Sequence, residues 1–210
     1  MGTSKRRINA KIKKMLTDKS LTEINEDAPS ISEIILTKEN LNQGFDEEST
    51  VTNTIHIINQ KFTSLSIAGY KGKTKKDLSE DELTQQEFFE MILDEIENEK
   101  VIESKILKKS LKIVMYKFLD KEFDAYSFTQ ILFHQVVYEL LLTELNDTLK
   151  DGFDELSYPK IKEMVNLLTS KIMNQNMHEK INLFVDKKIS LEEILDSIIT
   201  ETSNAEFGDF

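Results

Sequence analysis

The sequence predicts an all-α protein, and three observations support that prediction. Only 6 Gly and 2 Pro occur among the 210 residues, too few for the many tight turns of a β-rich fold. From residue 79 to residue 202, apolar side chains recur with the 3.6-residue period of amphipathic helices. Residues 126–149 are apolar on all sides of a helical wheel, as in a fully buried helix. We therefore predict an irregular helical bundle around a buried central helix at residues 126–149, with an extended, partly flexible N-terminal region.

The predicted central helix constrains the rest of the fold. At ~1.5 Å per residue it is about 36 Å long, which is the width of a small domain. Its apolar side chains occupy both halves of the helical wheel: Phe128, Ile131, Leu132, Phe133, Val136, Val137, Tyr138, Leu140, Leu141, Leu142 and Leu145. Other helices are expected to wrap around it, because no other predicted element can cover so much apolar surface.

Composition narrows the class of protein. With 39% hydrophobic and 31% charged residues, we expect both a core and a strongly hydrated surface. Cysteine is absent, so the chain has no disulfide, thiolate metal site or cysteine nucleophile. No uncharged apolar run reaches 18 residues, and lysines interrupt any signal-like segment near the N-terminus. We therefore expect a cytoplasmic protein without a membrane span.

The net charge of −11 is unevenly distributed along the chain. Residues 1–20 carry seven basic side chains and one acidic one, so the remainder is more acidic than the whole. Within this basic arm, Ile8, Ile12, Met15 and Leu16 have helical spacing, which is typical of a basic amphipathic segment. A docked terminal helix is the favoured interpretation. Binding to phosphates, or to an acidic face of the protein itself or of a partner, remains open.

The regions of the chain differ in character. Residues 1–78 combine the basic arm with an acidic, partly ordered region, in which a capping box at Ser30–Glu33 predicts a short helix ending near Leu41. Residues 51–68 favour a helix over a strand, because no partner strand is evident. Residues 69–78 are predicted to be a flexible basic linker, residues 79–202 a helical domain, and residues 203–210 a flexible tail.

Within the helical domain, helices are expected at about 79–98, 103–119, 126–149, 159–174, 177–186 and 190–202. The predicted N-terminal capping signals are Ser79 with Glu82, Thr84 with Glu87, Asp124, and Ser190 with Glu193. The central helix is expected to break at Asp151-Gly152.

No catalytic constellation is apparent in the sequence. His56, His134 and His178 lack ligand spacing, and His134 is most simply a core histidine. Glu95 and Glu99 are the one acidic pair with convergent helical spacing, beside Lys100. The end of a phosphate-binding loop is imitated at residues 72–74, but Ile67 stands where its first glycine would be. We therefore expect a non-enzymatic protein without a metal site or cofactor.

The start Met1-Gly2-Thr3-Ser4, the all-helical body, the Asp-Gly break and the short acidic C-terminal tail together resemble the QatB-like component of bacterial Qat antiphage defence systems. The resemblance implies a non-enzymatic subunit of a defence system. Its implied partners are a QueC-like enzyme, a P-loop ATPase and a TatD-like nuclease. QueC-like enzymes activate the carboxylate of a 7-deazaguanine with ATP, and an N-terminal glycine would serve as the amine nucleophile.

Gly2 is accordingly the predicted modification site. Removal of Met1 would expose an α-amine with a typical pKa near 7.7–8.0, partly neutral at cytoplasmic pH. Thr3 and Ser4 are small, and the next three residues, Lys5, Arg6 and Arg7, would steer the arm towards a phosphate-rich pocket. Gly2 to Arg7 thus form the predicted partner-binding segment. The alternative function is a nucleic-acid-binding regulatory protein that uses the basic arm and the lysines of residues 71–76.

Overall fold

A computed structural model describes residues 32–150 and 158–204 of the chain. Its helices are α1 (Lys38–Phe45), α2 (Glu48–Ala68), α3 (Lys75–Ser79), α4 (Glu82–Glu99), α5 (Lys105–Lys117), α6 (Ala125–Lys150), α7 (Tyr158–Ile172), α8 (Gln175–Val185) and α9 (Leu191–Asn204). Within these residues no strand occurs, and the single β-bridge joins Tyr70 to Lys73. The all-α prediction is confirmed. None of the described helices is both long enough and apolar enough to cross a membrane.

The chain divides into two compact units. Of the described residues, the first unit comprises 32–42, 137–150, 158–180 and 191–204, and the second comprises 43–136 and 181–190. This division does not follow the predicted boundary at residue 79, because α2 lies before that boundary yet packs on α4 behind it. Both α6 and α8 contribute residues to each unit.

Helix α6 corresponds to the predicted central helix and extends one residue beyond it at each end. The apolar side chains at 128, 132, 133, 136, 137, 140, 141, 142 and 145 are buried, as predicted, whereas Ile131 and Tyr138 are only partly buried. The helix is therefore buried on most sides and not on all of them. As predicted, Asp124 caps the helix: the Ser127 N–H donates to its carboxylate at 2.8 Å. Hydrogen bonds from the Ser127 side chain and from the Ser127 N–H lower the pKa of Asp124.

Aromatic side chains surround the part of α6 that belongs to the second unit. The Phe133 ring lies 4.6 Å from that of Phe45 and 5.8 Å from that of Phe184, centroid to centroid. The Phe128 ring lies 5.5 Å from Phe118 and 5.4 Å from Phe123. These pairs bury large apolar areas, so they account for much of the packing in this unit.

In the first unit, α7 packs on α9. Their buried residues recur at helical spacing: Ile161, Val165, Leu168 and Ile172 on α7, and Leu191, Ile194, Leu195 and Ile198 on α9. Polar contacts fix the ends of α9. The Glu201 carboxylate accepts hydrogen bonds from Asn174 at 2.8 Å and Asn176 at 3.0 Å, and Lys38 contacts Glu192 at 2.6 Å.

The second unit contains a hairpin of α2 and α4, joined by the turn at residues 69–74 and by α3. The Phe88 ring of α4 lies 5.8 Å from that of Phe62 on α2 and 5.1 Å from that of Tyr70 in the turn. Lys61 of α2 forms an ion pair with Glu95 of α4. The helix predicted at residues 51–68 is therefore confirmed, and this pairing determines which side of α2 faces solvent.

Two local predictions are corrected by the structure. The single helix predicted from the Ser30 cap to about Leu41 is interrupted at Leu36 and Thr37. Residues 32–35 are helical, α1 begins at Lys38 and continues to Phe45, and the reversal falls at Asp46, whose φ is 64°. The Ser104 N–H donates to the Asp46 carboxylate at 3.0 Å and the Ser104 hydroxyl donates to the Gly44 carbonyl at 2.7 Å, so a distant residue fixes the turn. Likewise α4 is capped by Asp81, whose carboxylate accepts from the Thr84 N–H at 3.2 Å.

Several predictions concern residues outside the described ranges. These are the basic arm at residues 1–20, the region from 21 to 31 that includes the Ser30 cap, the Asp151-Gly152 break, and residues 205–210 of the predicted tail.

Truncation of a buried α6 side chain tests the core directly. We expect Leu140→Ala to lower the free energy of unfolding by about 2–5 kcal/mol, because it removes buried apolar atoms and leaves a cavity. The matched control is Thr143→Ala on the exposed side of the same helix, which should change stability by less than about 0.5 kcal/mol. Urea unfolding followed by circular dichroism measures both. Equal midpoints for the two variants would contradict burial of Leu140.

Candidate functional site

The predicted modification and partner-binding residues, Gly2, Thr3, Ser4, Lys5, Arg6 and Arg7, lie outside the described residues. The search for a site therefore concerns surfaces of residues 32–150 and 158–204. Four features carry the polar, charged or exposed side chains that a site could use: the lysine-rich turn after α2, the histidines and carboxylates, the exposed side of α2, and the exposed sides of α4 and α5.

The turn after α2 is ordered by its own backbone, unlike the flexible linker predicted at residues 69–78. Tyr70 and Lys73 exchange two backbone hydrogen bonds of 2.9 Å. Gly69 has a φ of 71°, and a Cβ there would collide with the Lys73 carbonyl, so glycine is required. A capping box between Thr74 and Asp77 then begins α3. These local hydrogen bonds hold the segment in one conformation, although its composition predicts a flexible linker.

The lysines of this turn are engaged within their own unit. Lys71 contacts the Glu87 carboxylate at 2.7 Å, Lys73 forms an ion pair with Asp81, and Lys75 donates to the Lys121 carbonyl. Partial burial lowers the pKa of Lys75. The hydrogen bond from Lys73, with two further bonds from Thr84, holds the pKa of Asp81 far below its usual range. We call these contacts of Lys71, Lys73 and Lys75 the electrostatic clamp.

Histidines and carboxylates do not converge into a recognisable centre in the described part of the chain. There, no three His, Asp or Glu residues are placed to hold a metal ion. The His56 ring lies 2.8 Å from the Gln60 amide on the exposed side of α2, and Glu95 of the predicted acidic pair is bound to Lys61. Glu139 is only 4% exposed on α6, so it lies in the packed interior and not in an open cleft.

The exposed side of α2 is unusual because it lacks formal charge. We define the α2 face as Asn59, Gln60, Thr63, Ser64, Ile67 and Ala68, which together line a shallow groove of about 460 Å³. The charged residue nearest to them in sequence, Lys61, forms an ion pair with Glu95 on α4. Ile67 is 82% exposed, although it is a large aliphatic residue. The face therefore combines one exposed aliphatic side chain with small or polar uncharged residues, and burying it would remove no formal charge from water.

The sequence contains a signal for this face, namely the scarcity of charged residues, although the periodicity of apolar residues does not reveal the face. Between residues 49 and 70, Lys61 is the single Lys, Arg, Asp or Glu, in a chain that is 31% charged. Charge depletion over a whole exposed helix is therefore visible before the fold is known. Only the fold shows that the depleted side faces solvent.

The neighbouring surface of α4 is charged, unlike the α2 face. A groove of about 490 Å³ runs along it and is lined mainly by charged and polar residues: Tyr70, Lys71, Glu87, Glu90, Met91, Asp94, Glu95 and Asn98. Glu87 and Glu95 are held by lysines of the turn and of α2. Such a surface remains well hydrated, in contrast to the α2 face.

Helix α5 carries the strongest positive charge in the described part of the chain. Its sequence has five lysines and no acidic residue. Lys108 pairs with Glu97, and Lys117 lies 3.5 Å from the Gln135 amide oxygen. The remaining three, Lys105, Lys109 and Lys112, are exposed in one row that ends at the half-exposed Tyr116. We call this row the α5 ridge.

Comparison with known proteins adds no relative. No protein-family model, curated protein or solved structure matches this chain. The functional argument therefore rests on the surfaces described above and on the resemblance of the N-terminal segment.

The electrostatic clamp in the turn yields a pH-dependent prediction. The pKa of Asp81 is lowered in the folded state, so its contribution to stability is present above the unfolded pKa and is lost as pH falls towards the folded value. Asp81→Asn should thus destabilise the protein at neutral pH and by progressively less in acid, since asparagine still caps α4. Urea unfolding of both proteins between neutral pH and about pH 3 measures this difference. A constant difference across that range would contradict the clamp.

Proposed function

We propose that the protein is a non-enzymatic subunit that works by binding other proteins. The observation that supports this proposal is the α2 face. Its six residues carry no formal charge, Lys61 forms an ion pair with Glu95, and Ile67 is exposed to solvent. Burying this face would desolvate no formal charge, whereas its amides and hydroxyls would need hydrogen-bond partners from the bound protein. A face with these properties suits a protein partner better than a charged ligand.

The resemblance of the N-terminal segment supplies the candidate partners. Under this proposal the protein belongs to a cytoplasmic antiphage defence system together with a QueC-like enzyme, a P-loop ATPase and a TatD-like nuclease. After removal of Met1, the QueC-like enzyme joins a 7-deazaguanine carboxylate to AMP from ATP and releases pyrophosphate. The α-amine of Gly2 then attacks the acyl adenylate, so that an amide forms, AMP leaves and the amine loses a proton. Lys5, Arg6 and Arg7 guide the arm into the phosphate-rich active site. The α2 face serves assembly, and the N-terminal arm serves modification.

Intact-mass spectrometry tests the modification. After incubation with a QueC-like enzyme, ATP and the 7-deazaguanine carboxylic acid, we expect the mass to increase by that of one acyl group, with fragment ions placing it on Gly2. The same reaction without ATP is the control, because the carboxylate is not activated. An unmodified Gly2 in the complete reaction, with an enzyme shown to be active, would exclude this role.

One observation favours the alternative function of nucleic-acid binding. The α5 ridge presents three lysines in a row with a tyrosine at its end, and exposed aromatic rings can stack on bases of a single strand. The turn lysines, which sequence analysis had included in this alternative, contribute less because carboxylates already hold two of them. The acidic Glu90 and Asp94 on neighbouring α4 oppose the binding of a long polyanion.

Fluorescence anisotropy of a labelled oligothymidine measures single-stranded DNA binding and therefore tests this alternative. Three phosphate contacts would weaken binding about 20-fold between about 50 mM and about 200 mM salt. Replacement of Lys105, Lys109 and Lys112 by Gln should then abolish binding, whereas the control pair Lys76→Gln and Lys187→Gln, exposed lysines elsewhere, should not. Absence of binding at low salt would remove the alternative, and equal affinity of the two variants would exclude the α5 ridge as its site.

A further inference from the structure

We propose that the basic arm docks on one side of α6, where the Lys19 ammonium pairs with the buried Glu139 carboxylate. We define the α6 strip as Glu139, Leu142 and Asn146, which follow one another at helical spacing in the first unit. This docking deepens the proposed function, on which its biological role rests, because it fixes the arm that carries Gly2.

The burial of Glu139 is the first observation. Among the described residues it is the one charged residue that is buried, with 4% of its surface exposed. An ionised carboxylate in the interior is costly unless a cation or several hydrogen-bond donors lie beside it. We therefore expect a cation next to Glu139.

The side chain of Asn146 is the second, independent observation. Its side-chain oxygen is buried and accepts no hydrogen bond from the described residues. An acceptor left without a donor in the interior costs free energy, so a donor is expected there as well. Asn146 lies two turns after Glu139, about 10 Å along the axis of α6, with the buried Leu142 between them. The α6 strip thus needs positively charged or N–H groups at two points, with an apolar contact in the middle.

The basic arm is the richest source of such groups. It holds seven basic side chains and one acidic one within residues 1–20, whereas the rest of the chain is acidic. Lysines of the first unit are engaged elsewhere: Lys38 contacts Glu192 at 2.6 Å, and Lys180 donates to the Ser197 hydroxyl at 2.9 Å. The charge of the arm is therefore complementary to the α6 strip.

The arm carries one base on its apolar side. Ile8, Ile12, Met15 and Lys19 follow one another at spacings of four, three and four residues, so they share one side of a helix. Lys19 thus occupies a position where the amphipathic pattern predicts another apolar residue. When that side packs on a core, the Lys19 ammonium enters the interior with it and needs an acidic partner. Lys19 and Glu139 therefore have reciprocal requirements.

A second base fits the second point of the α6 strip. Lys11 lies eight residues before Lys19, which is about 12 Å along a helix, and it flanks the same side. This separation is close to the one between Glu139 and Asn146. With the arm antiparallel to α6, Lys19 pairs with Glu139 while Lys11 donates to the Asn146 oxygen. Ile12 and Met15, which lie between the two lysines, then pack on the apolar middle of the strip.

The chain is long enough for this contact. Residues 20–31 separate the arm from Ser32, which belongs to the first unit. That length of chain spans up to about 40 Å when extended, whereas a unit of this size is about 30 Å across. Docking at Lys11 and Lys19 leaves residues 2–7 beyond the contact, so the α-amine of Gly2 stays accessible to the enzyme.

Limited proteolysis of the full chain with trypsin tests the docking, because every Lys and Arg of the arm is a cleavage site. Glu139→Gln removes the charge and keeps the shape, so cleavage within residues 1–20 should become about tenfold faster or more. Cleavage after the lysines of α5 should stay unchanged. The matched control is Glu163→Gln on the exposed side of α7, which should be cleaved as the unsubstituted chain is. Equal cleavage of the arm in the two variants would overturn the proposal.

A double-mutant cycle separates the ion pair from a general loss of stability. Cleavage is followed at Arg6 and Arg7, which every variant retains. Lys19→Gln should release the arm as Glu139→Gln does, and the variant with both substitutions should be no more sensitive than either one. Lys13→Gln, on the opposite side of the predicted arm helix, should leave the arm protected. Additive effects at positions 19 and 139, or equal effects at positions 19 and 13, would exclude the pairing.

The docking and the proposed function fail separately. If the arm is protected but Gly2 is never modified, the docking stands and the identity of the enzyme partner is excluded. If Gly2 is modified but the arm of the unsubstituted chain is cleaved as fast as a peptide of residues 1–20, the proposed function stands and the docking is excluded.

Discussion

The need to cover α6 dominates the architecture. This helix presents apolar side chains in nearly every direction, so it is stable only when other elements surround it. In the second unit, aromatic rings at 45, 118, 123 and 184 provide that cover, and they come from segments far apart in sequence. The remaining helices are amphipathic because they have one side towards a core and one towards water.

Against this background, the exposed sides of three neighbouring helices differ in charge. Helix α4 presents carboxylates, α5 presents lysines, and α2 presents neither. Packing does not require these differences in charge, because each of the three helices needs only one apolar side towards the core. Charged sides remain hydrated and need no explanation beyond solubility, whereas an uncharged side is the exception in so acidic a chain. The functional proposal is accordingly built on α2.

The sequence predicted helices well where local chemistry decides the outcome. The bounds of α6 were predicted to within one residue, because its composition and the Asp124 cap both depend on nearby residues. Prediction failed where a distant residue intervenes. The reversal at Asp46 depends on Ser104, and the turn at residues 69–74 depends on the Tyr70–Lys73 bridge and on the carboxylates of α4. The α2 face lay between these cases: charge depletion was visible in the sequence, but only packing against α4 decides which side is exposed.

The division of the chain into units has a consequence for synthesis on the ribosome. The first unit uses segments from both halves of the chain, and its contact between Lys38 and Glu192 joins residues 154 positions apart. The second unit in turn needs residues 181–190, which include Phe184 against Phe133. The second unit therefore cannot complete its packing before α8 has been synthesised, and the first unit cannot do so before α9. Until then part of the apolar surface of α6 lacks its cover and is prone to aggregation.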